Sequence, residues 1–198
     1  MAYGIAAVLG VPFISSGLVY RLVTLTALEN SVDITSQEML LAMLQQHELQ
    51  FEARVSGNAV FLDGAAVTSA CHSSQVDAAV SSVAQHPQIR AWVNAKIRQL
   101  EPPFVAEGRD MGSTVFPDAN VKIFLTASSL VRAQRRVGER RQSLSEVQAS
   151  IEARDAMDAK NSQPAPDAVL LDSSLHSLEE TVQQALQIIR QQLGEQPA

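Results

Sequence analysis

The sequence predicts an α/β fold, a parallel sheet with helices on both faces. Two observations carry the prediction. Four short apolar runs, at 11–15 (VPFIS), 103–107 (PFVAE), 121–127 (VKIFLTA) and 168–172 (AVLLD), read as buried strands. They alternate with stretches of helical periodicity, as in a sheet whose faces are both covered. A third observation marks an exception. Residues 48–69 alternate apolar and polar side chains and carry turn signals at Gly57-Asn58 and Asp63-Gly64, so they read as a small antiparallel insertion.

Residues 2–9 read as the end of an alanine-rich helix, stopped by Gly10 and Pro12. The strand at 11–15 follows. Leu18, Leu22, Leu25 and Leu28 then share one face of a helix over 18–29. Thr35 and Glu38 make a capping box for a helix to about Gln46. After the insertion, helical periodicity resumes near Gln75. His86-Pro87 interrupts it, and Ile89, Val93, Ile97 and Leu100 form a new stripe. Beyond the two middle strands, Ser128 is an N-cap for an arginine-rich helix over 129–141. Ser143 and Glu146 open a helix to about Lys160. Ser177 and Glu180 open the last, with the stripe Leu178, Val182, Leu186, Ile189 and Leu193.

The 198 residues are 46% hydrophobic and 18% charged, too apolar for a disordered chain and long enough for a real core, so one domain over 1–198 is expected. The net charge of −6 argues against general nucleic-acid binding. One cysteine, Cys71, cannot form an intramolecular disulfide, which points to a reducing cytoplasm. The apolar start carries no positive charge and is broken by Pro12, unlike a secretory signal. No run of eighteen apolar residues exists, so no membrane span is expected.

Four constellations carry chemistry. Arg132, Arg135, Arg136, Arg140 and Arg141 put five of fifteen basic residues within ten positions. Arg132, Arg136 and Arg140 share a helical face, where like charges repel unless an anion sits among them. Guanidinium forks match phosphate oxygens. The cluster fits a small polyanion, and equally a solvated face paired with Glu139 and Glu146. Next, the strand at 103–107 ends in Glu107, Gly108, Arg109 and Asp110, where open parallel sheets bind ligands. Third, Ser16 and Arg21 follow the first strand near a helix start, which favours anions. Fourth, Arg154 and Asp158 are i, i+4 on one helix. His47, His72, His86 and His176 lack ligand spacing, so no metal site is expected.

Taken together, SSGLVYR (15–21), GRDMGSTVFPDANVKIFLTAS (108–128), RAQRR (132–136), Arg154-Asp155 with Asp158 three residues on, and PAPDAVLLDSS (164–174) resemble the bacterial cytidylate kinases. The resemblance runs in order from residue 1 to about 193. It implies a P-loop nucleoside monophosphate kinase fold, with a monophosphate-binding insertion over 48–100 and a lid over 129–160. It also implies transfer of the ATP γ-phosphoryl group to CMP or dCMP with Mg²⁺, in a cytoplasmic monomer with no nucleic-acid or membrane partner. By the same resemblance, Ser16, Arg21 and Arg109 hold the acceptor nucleotide. Ser81, Arg90 and Asp110 read the cytosine edge, Arg154 and Asp158 hold the ribose, and Arg132 and Arg136 lie over the transferring phosphates. Positioning and charge stabilisation are what phosphoryl transfer requires.

Two departures stand out. The family opens with a strand and a G-x-x-x-x-G-K-[ST] phosphate loop. None of the lysines, Lys96, Lys122 and Lys160, follows a glycine, and no glycine pair has the spacing. No donor-binding residues are therefore identifiable. The family's first, central strand, between 103–107 and 121–127, is expected to be absent, either because the start is assigned too late or because the chain is a fragment. This polypeptide is expected to show little or no kinase activity. The alternative to a kinase is then an inactive CMP-binding fragment, or an interaction protein on a decayed scaffold. The second departure is Asn161, where the family usually has an arginine; Lys160 is adjacent.

Overall fold

A computed structural model of the chain describes residues 1–137 and 143–194. It forms two compact units, residues 2–108, and residues 109–198 together with Met1.

In the first unit, α1 (Ala2–Leu9) ends in a Schellman motif. Gly10 takes φ +67° and donates to the Ala7 carbonyl at 3.4 Å, and the Val11 N–H reaches Ala6 at 3.1 Å. A left-handed residue at that position is what glycine supplies without a Cβ penalty. β1 (Phe13–Ser15) follows and pairs in parallel with β5 (Val105–Glu107), Ile14 facing Ala106. On its other edge β1 meets β2 (Leu49–Arg54) antiparallel. β2 pairs with β3 (Gly57–Leu62), and β3 with the short β4 (Ala65–Ala66). The order β4-β3-β2-β1-β5 joins the antiparallel insertion directly to the first parallel pair.

The two turn signals behave differently. Asp63 and Gly64 adopt φ of 49° and 81° between paired Leu62 and Ala65, as a two-residue primed hairpin turn requires. Gly57-Asn58, by contrast, opens β3, and the β2–β3 hairpin closes two residues earlier through Val55-Ser56. Asn58 is spent on β1: its side chain accepts the Ser15 N–H at 2.8 Å and donates to the Phe13 carbonyl. The capping box expected from Thr35 is also corrected. Ser36 caps α3 (Gln37–Gln46) by accepting the Met39 N–H at 3.3 Å, while Thr35 donates its hydroxyl to Asp33. The Asp33 side chain competes for Thr35 by a local turn.

The core of this unit surrounds α2 (Ser16–Glu29), whose Val19, Leu22 and Val23 are buried with Ile14 and Val60. α4 (Ser74–Val83) packs on α2, and α5 (Pro87–Arg98) contributes buried Ile89, Val93 and Ile97. Thr24 and Thr26 are buried on α2 and return their hydroxyls to the carbonyls of Tyr20 and Leu22.

In the second unit a π turn, Met111–Val115, leads to β6 (Ile123–Thr126), α6 (Ser129–Val137), α7 (Leu144–Asp158), a 3-10 turn (Ala159–Asn161), β7 (Val169–Asp172) and α8 (Leu178–Leu193). β6 and β7 pair in parallel, Leu125 facing Leu171. Thus all four apolar runs become strands, as two parallel pairs in two sheets. Ala133 of α6 packs with Val147 and Ile151 of α7. Both capping boxes expected here are formed, Ser143 with Glu146 and Ser177 with Glu180. Glu139, Arg140 and Arg141 lie outside the described residues, as does the side chain of Lys160. Among the described residues, no helix is long and apolar enough to cross a membrane.

Candidate functional site

In residues 2–108, β1 carries the first motif. Its parallel partner β5 aligns Ser15 with Glu107, and the Ser15 hydroxyl donates to that carboxylate. Ser16 is the next residue, buried at the start of α2. Arg21 lies a turn and a half further along. Its guanidinium is not open. Nη1 donates to the Cys71 carbonyl at 3.0 Å, and Nη2 meets Asp77 Oδ1 at 2.5 Å.

Asp77 and Ser81 lie i, i+4 on α4 and so share a face. Arg90 on α5 sets its guanidinium over the Tyr20 ring, 5.8 Å from the centroid, and donates to the Ala84 carbonyl at 3.2 Å. Ser16, Arg21, Ser81 and Arg90 are thereby tied to α2 or to the α4 face packed on it. Burial pushes the Cys71 thiol up to about 11, against the pull of Arg21, so it stays a neutral thiol near Arg21.

In residues 109–198, a second cluster forms. Arg109 does not pair with its neighbour Asp110. Its Nη1 lies 3.6 Å from Asp155 and its Nη2 3.2 Å from Asp158. Arg132 reaches the other oxygen of Asp155 at 2.6 Å and donates its Nε–H to the Ala127 carbonyl at 3.0 Å. Arg154 Nε lies 3.7 Å from Asp158, the i, i+4 pair expected on α7. Two carboxylates on successive turns thus hold three arginines. Burial raises the Asp155 carboxyl, but the hydrogen bond and charge of Arg132, with the charges of Arg109 and Arg154, outweigh it and hold Asp155 below the usual carboxylate range. Asp110 is buried, and its carbonyl caps the π turn by accepting the N–H groups of Thr114 and Val115.

The arginine helix divides by role. Arg135 points to the end of β7, donating to the Ser173 hydroxyl at 3.1 Å and to the carbonyls of Ser173 and His176 at 2.6 and 3.2 Å. Arg136 is exposed, one turn beyond Arg132 on the same face. Lys122 is occupied by Asp167 at 2.6 Å and by the Pro117 carbonyl. Its stem lies against Gly112, where a Cβ would come within 3.3 Å.

Sequence reasoning missed two residues. Asp155 has no assigned role beside Arg154 in the sequence, and only the packing of α6 on α7 makes it a bridge. Asp77 left one weak trace, its place four residues before Ser81. Among the described residues, no group of three or more His, Cys, Asp or Glu side chains could hold a metal ion.

The arrangement is rich in arginines braced by carboxylates, which suits the binding of phosphate esters. Comparison with known proteins agrees. A family model described as cytidylate kinase matches residues 1–191. The chain is 48% identical to a cytidylate kinase of Deinococcus radiodurans over 183 residues, 92% of this chain and 89% of that one. It is 47% identical to one of Thermus thermophilus, over 96% and 91% of the two chains. It is 35% identical to one of Escherichia coli, over 91% and 85%. With the α/β fold, the two braced arginine clusters and the match along nearly the whole length, the chain belongs to the cytidylate kinase family.

Proposed function

We propose that the protein transfers the γ-phosphoryl group of ATP to CMP or dCMP, giving ADP and CDP or dCDP. The acceptor oxygen attacks the γ-phosphorus, and the bond to the β-bridging oxygen breaks, leaving ADP. The observation that carries the reading is the network of Arg109, Arg132 and Arg154 on Asp155 and Asp158. In loose phosphoryl transfer, charge spreads over the transferring oxygens, and fixed guanidinium groups stabilise it without reorganising.

In this reading Arg132 and Arg136, in a lid over 129–160, lie over the transferring phosphates. Ser16, Arg21 and Arg109 hold the acceptor phosphate, and Arg154 and Asp158 hold the ribose. Ser81, Arg90 and Asp110 read cytosine, whose amine donates and whose ring nitrogen and carbonyl accept. Residues 48–100 form the monophosphate-binding region. Mg²⁺ arrives with ATP as part of the donor substrate. The protein acts as a cytoplasmic monomer.

A second reading is CMP binding without transfer, or an interaction role on a kinase scaffold. It is favoured by one observation, that the 198 residues contain no G-x-x-x-x-G-K-[ST] stretch. One experiment separates them. The purified chain is mixed with MgATP and each nucleoside monophosphate, and product nucleotides are measured beside calorimetric binding. Turnover restricted to CMP and dCMP supports transfer. CMP binding without product supports the second reading. A folded chain that binds neither CMP nor dCMP overturns nucleotide recognition.

A further inference from the structure

Asp77 is the partner of Arg21 to which none of these roles gives a task. The pair is close, 2.5 Å, and less than a fifth of either side chain is exposed, so water and salt screen it little. It sits one helical turn from Ser81 on the same face of α4. With the Cys71 carbonyl on Nη1, two of the five guanidinium donors are engaged by the protein itself.

We infer that Asp77 is a resident competitor for phosphate at Arg21, a carboxylate that holds the guanidinium in the empty site and gives way to the phosphate of a nucleotide. The inference rests on the proposed contact of Arg21 with the acceptor phosphate. A carboxylate and a phosphate both present planar or fork-matched oxygens to a guanidinium, so the two compete for the same donors. The carboxylate also neutralises the arginine and repels an incoming dianion. That penalty falls on every phosphate ligand. A free oxyanion has only its phosphate contacts to set against it. A nucleotide adds the contacts of its base and ribose, and remains bound where the bare anion does not. Asp77 therefore lowers the affinity of Arg21 for every phosphate ligand by a similar factor, and a nucleotide stays bound at concentrations where inorganic phosphate does not.

A simple brace predicts the opposite sign. If Asp77 only fixed the rotamer of Arg21, removing its charge would loosen the arginine and weaken every phosphate ligand.

The test is calorimetric titration of the full chain and its Asp77→Asn variant with inorganic phosphate and with CMP. Asparagine keeps the size and one acceptor oxygen and removes the charge. The expected result is that Asp77→Asn binds both ligands about tenfold more tightly, the difference between a charged and a neutral hydrogen-bond partner. Asp77→Ala, carried in parallel, is expected to shift affinity in the same direction. Partial unfolding cannot produce tighter binding, so the sign separates the proposal from a structural defect. Unchanged or weaker binding of phosphate and CMP in both variants overturns the proposal. Arg21→Ala serves as the control on the underlying reading. If it leaves CMP and phosphate affinities unchanged, Arg21 does not touch the acceptor, and the role of Asp77 falls with it.

Discussion

Asp155 accepts from Arg132 and faces Arg109, a role that its place between Arg154 and Asp158 does not by itself reveal. Its carboxyl is held low in the fold, against about 3.9 in an unfolded chain. A depressed carboxylate contributes stability that is present above the unfolded value and is lost as pH falls through the folded one. We therefore expect Asp155→Asn to be less stable than the parent at pH 7 and to lose less between pH 5 and pH 3. Urea denaturation at several pH values measures both slopes, and parallel curves would remove Asp155 from its place at the hub. Arg135 and Arg136 give a second contrast. They are adjacent in sequence, read alike and are both exposed, but Arg135 donates to Ser173 and His176. Arg135→Ala should cost about 1 kcal/mol of stability through its unmet carbonyl partners. Arg136→Ala should cost under about 0.5 kcal/mol, as other exposed substitutions do. If the proposed transfer holds, the order reverses for turnover. Equal melting temperatures for the two variants would contradict the division.

The terminal helix α8 shows how far local sequence decides an element. Ser177 accepts the Glu180 N–H at 3.1 Å, and Glu180 returns to the Ser177 N–H at 2.8 Å. Gly194 closes the other end at φ +74°. Ser177→Ala should therefore cost about 1 kcal/mol, with the denaturant midpoint lowered and the slope unchanged. A midpoint within error of the parent would show that the cap contributes nothing. Elements of this kind were legible because cap, stripe and stop are all local. So were the four strands, whose apolar runs stand between helical stretches. Pairing was less legible. That β1 joins the insertion on one edge and β5 on the other depends on contacts such as Asn58 with Phe13 and Ser15, more than forty positions apart. Thr35 failed as a cap because Asp33 took its hydroxyl, a competition of two side chains that spacing alone does not rank. The candidate site divides in the same way. Ser16, Arg109 and the Arg154–Asp158 pair are visible as strand-end or helical spacings. Asp77 and Asp155 acquire meaning only from a facing arginine on another helix.

The net charge of −6 sets a test that the local clusters and the molecule as a whole answer differently. A nucleoside monophosphate is itself an anion. If the average field governed binding, repulsion would dominate, and added salt would screen that repulsion and tighten CMP. If the arginines govern it, salt screens attraction and weakens CMP. The distances favour the second outcome. The screening length is about 10 Å at 0.1 M salt and about 3 Å at 1 M. Charges spread over the surface of a chain this size lie mostly beyond the first figure. Arg109, Arg132 and Arg154 gather around Asp155 and Asp158 within 3.7 Å contacts, so a phosphate placed among them feels three positive charges at short range. The two carboxylates offset part of this, which makes the salt effect moderate. We expect the dissociation constant of CMP to rise several-fold from about 0.02 to 0.5 M potassium chloride at pH 7.5, in keeping with a short-range, incompletely screened attraction. Cytidine, which lacks the phosphate, should show almost no change over the same range. A CMP affinity that improves with salt would mean that the acidic surface outweighs the arginines. An effect of equal size for cytidine would mean that salt acts on the fold and not on the phosphate contact.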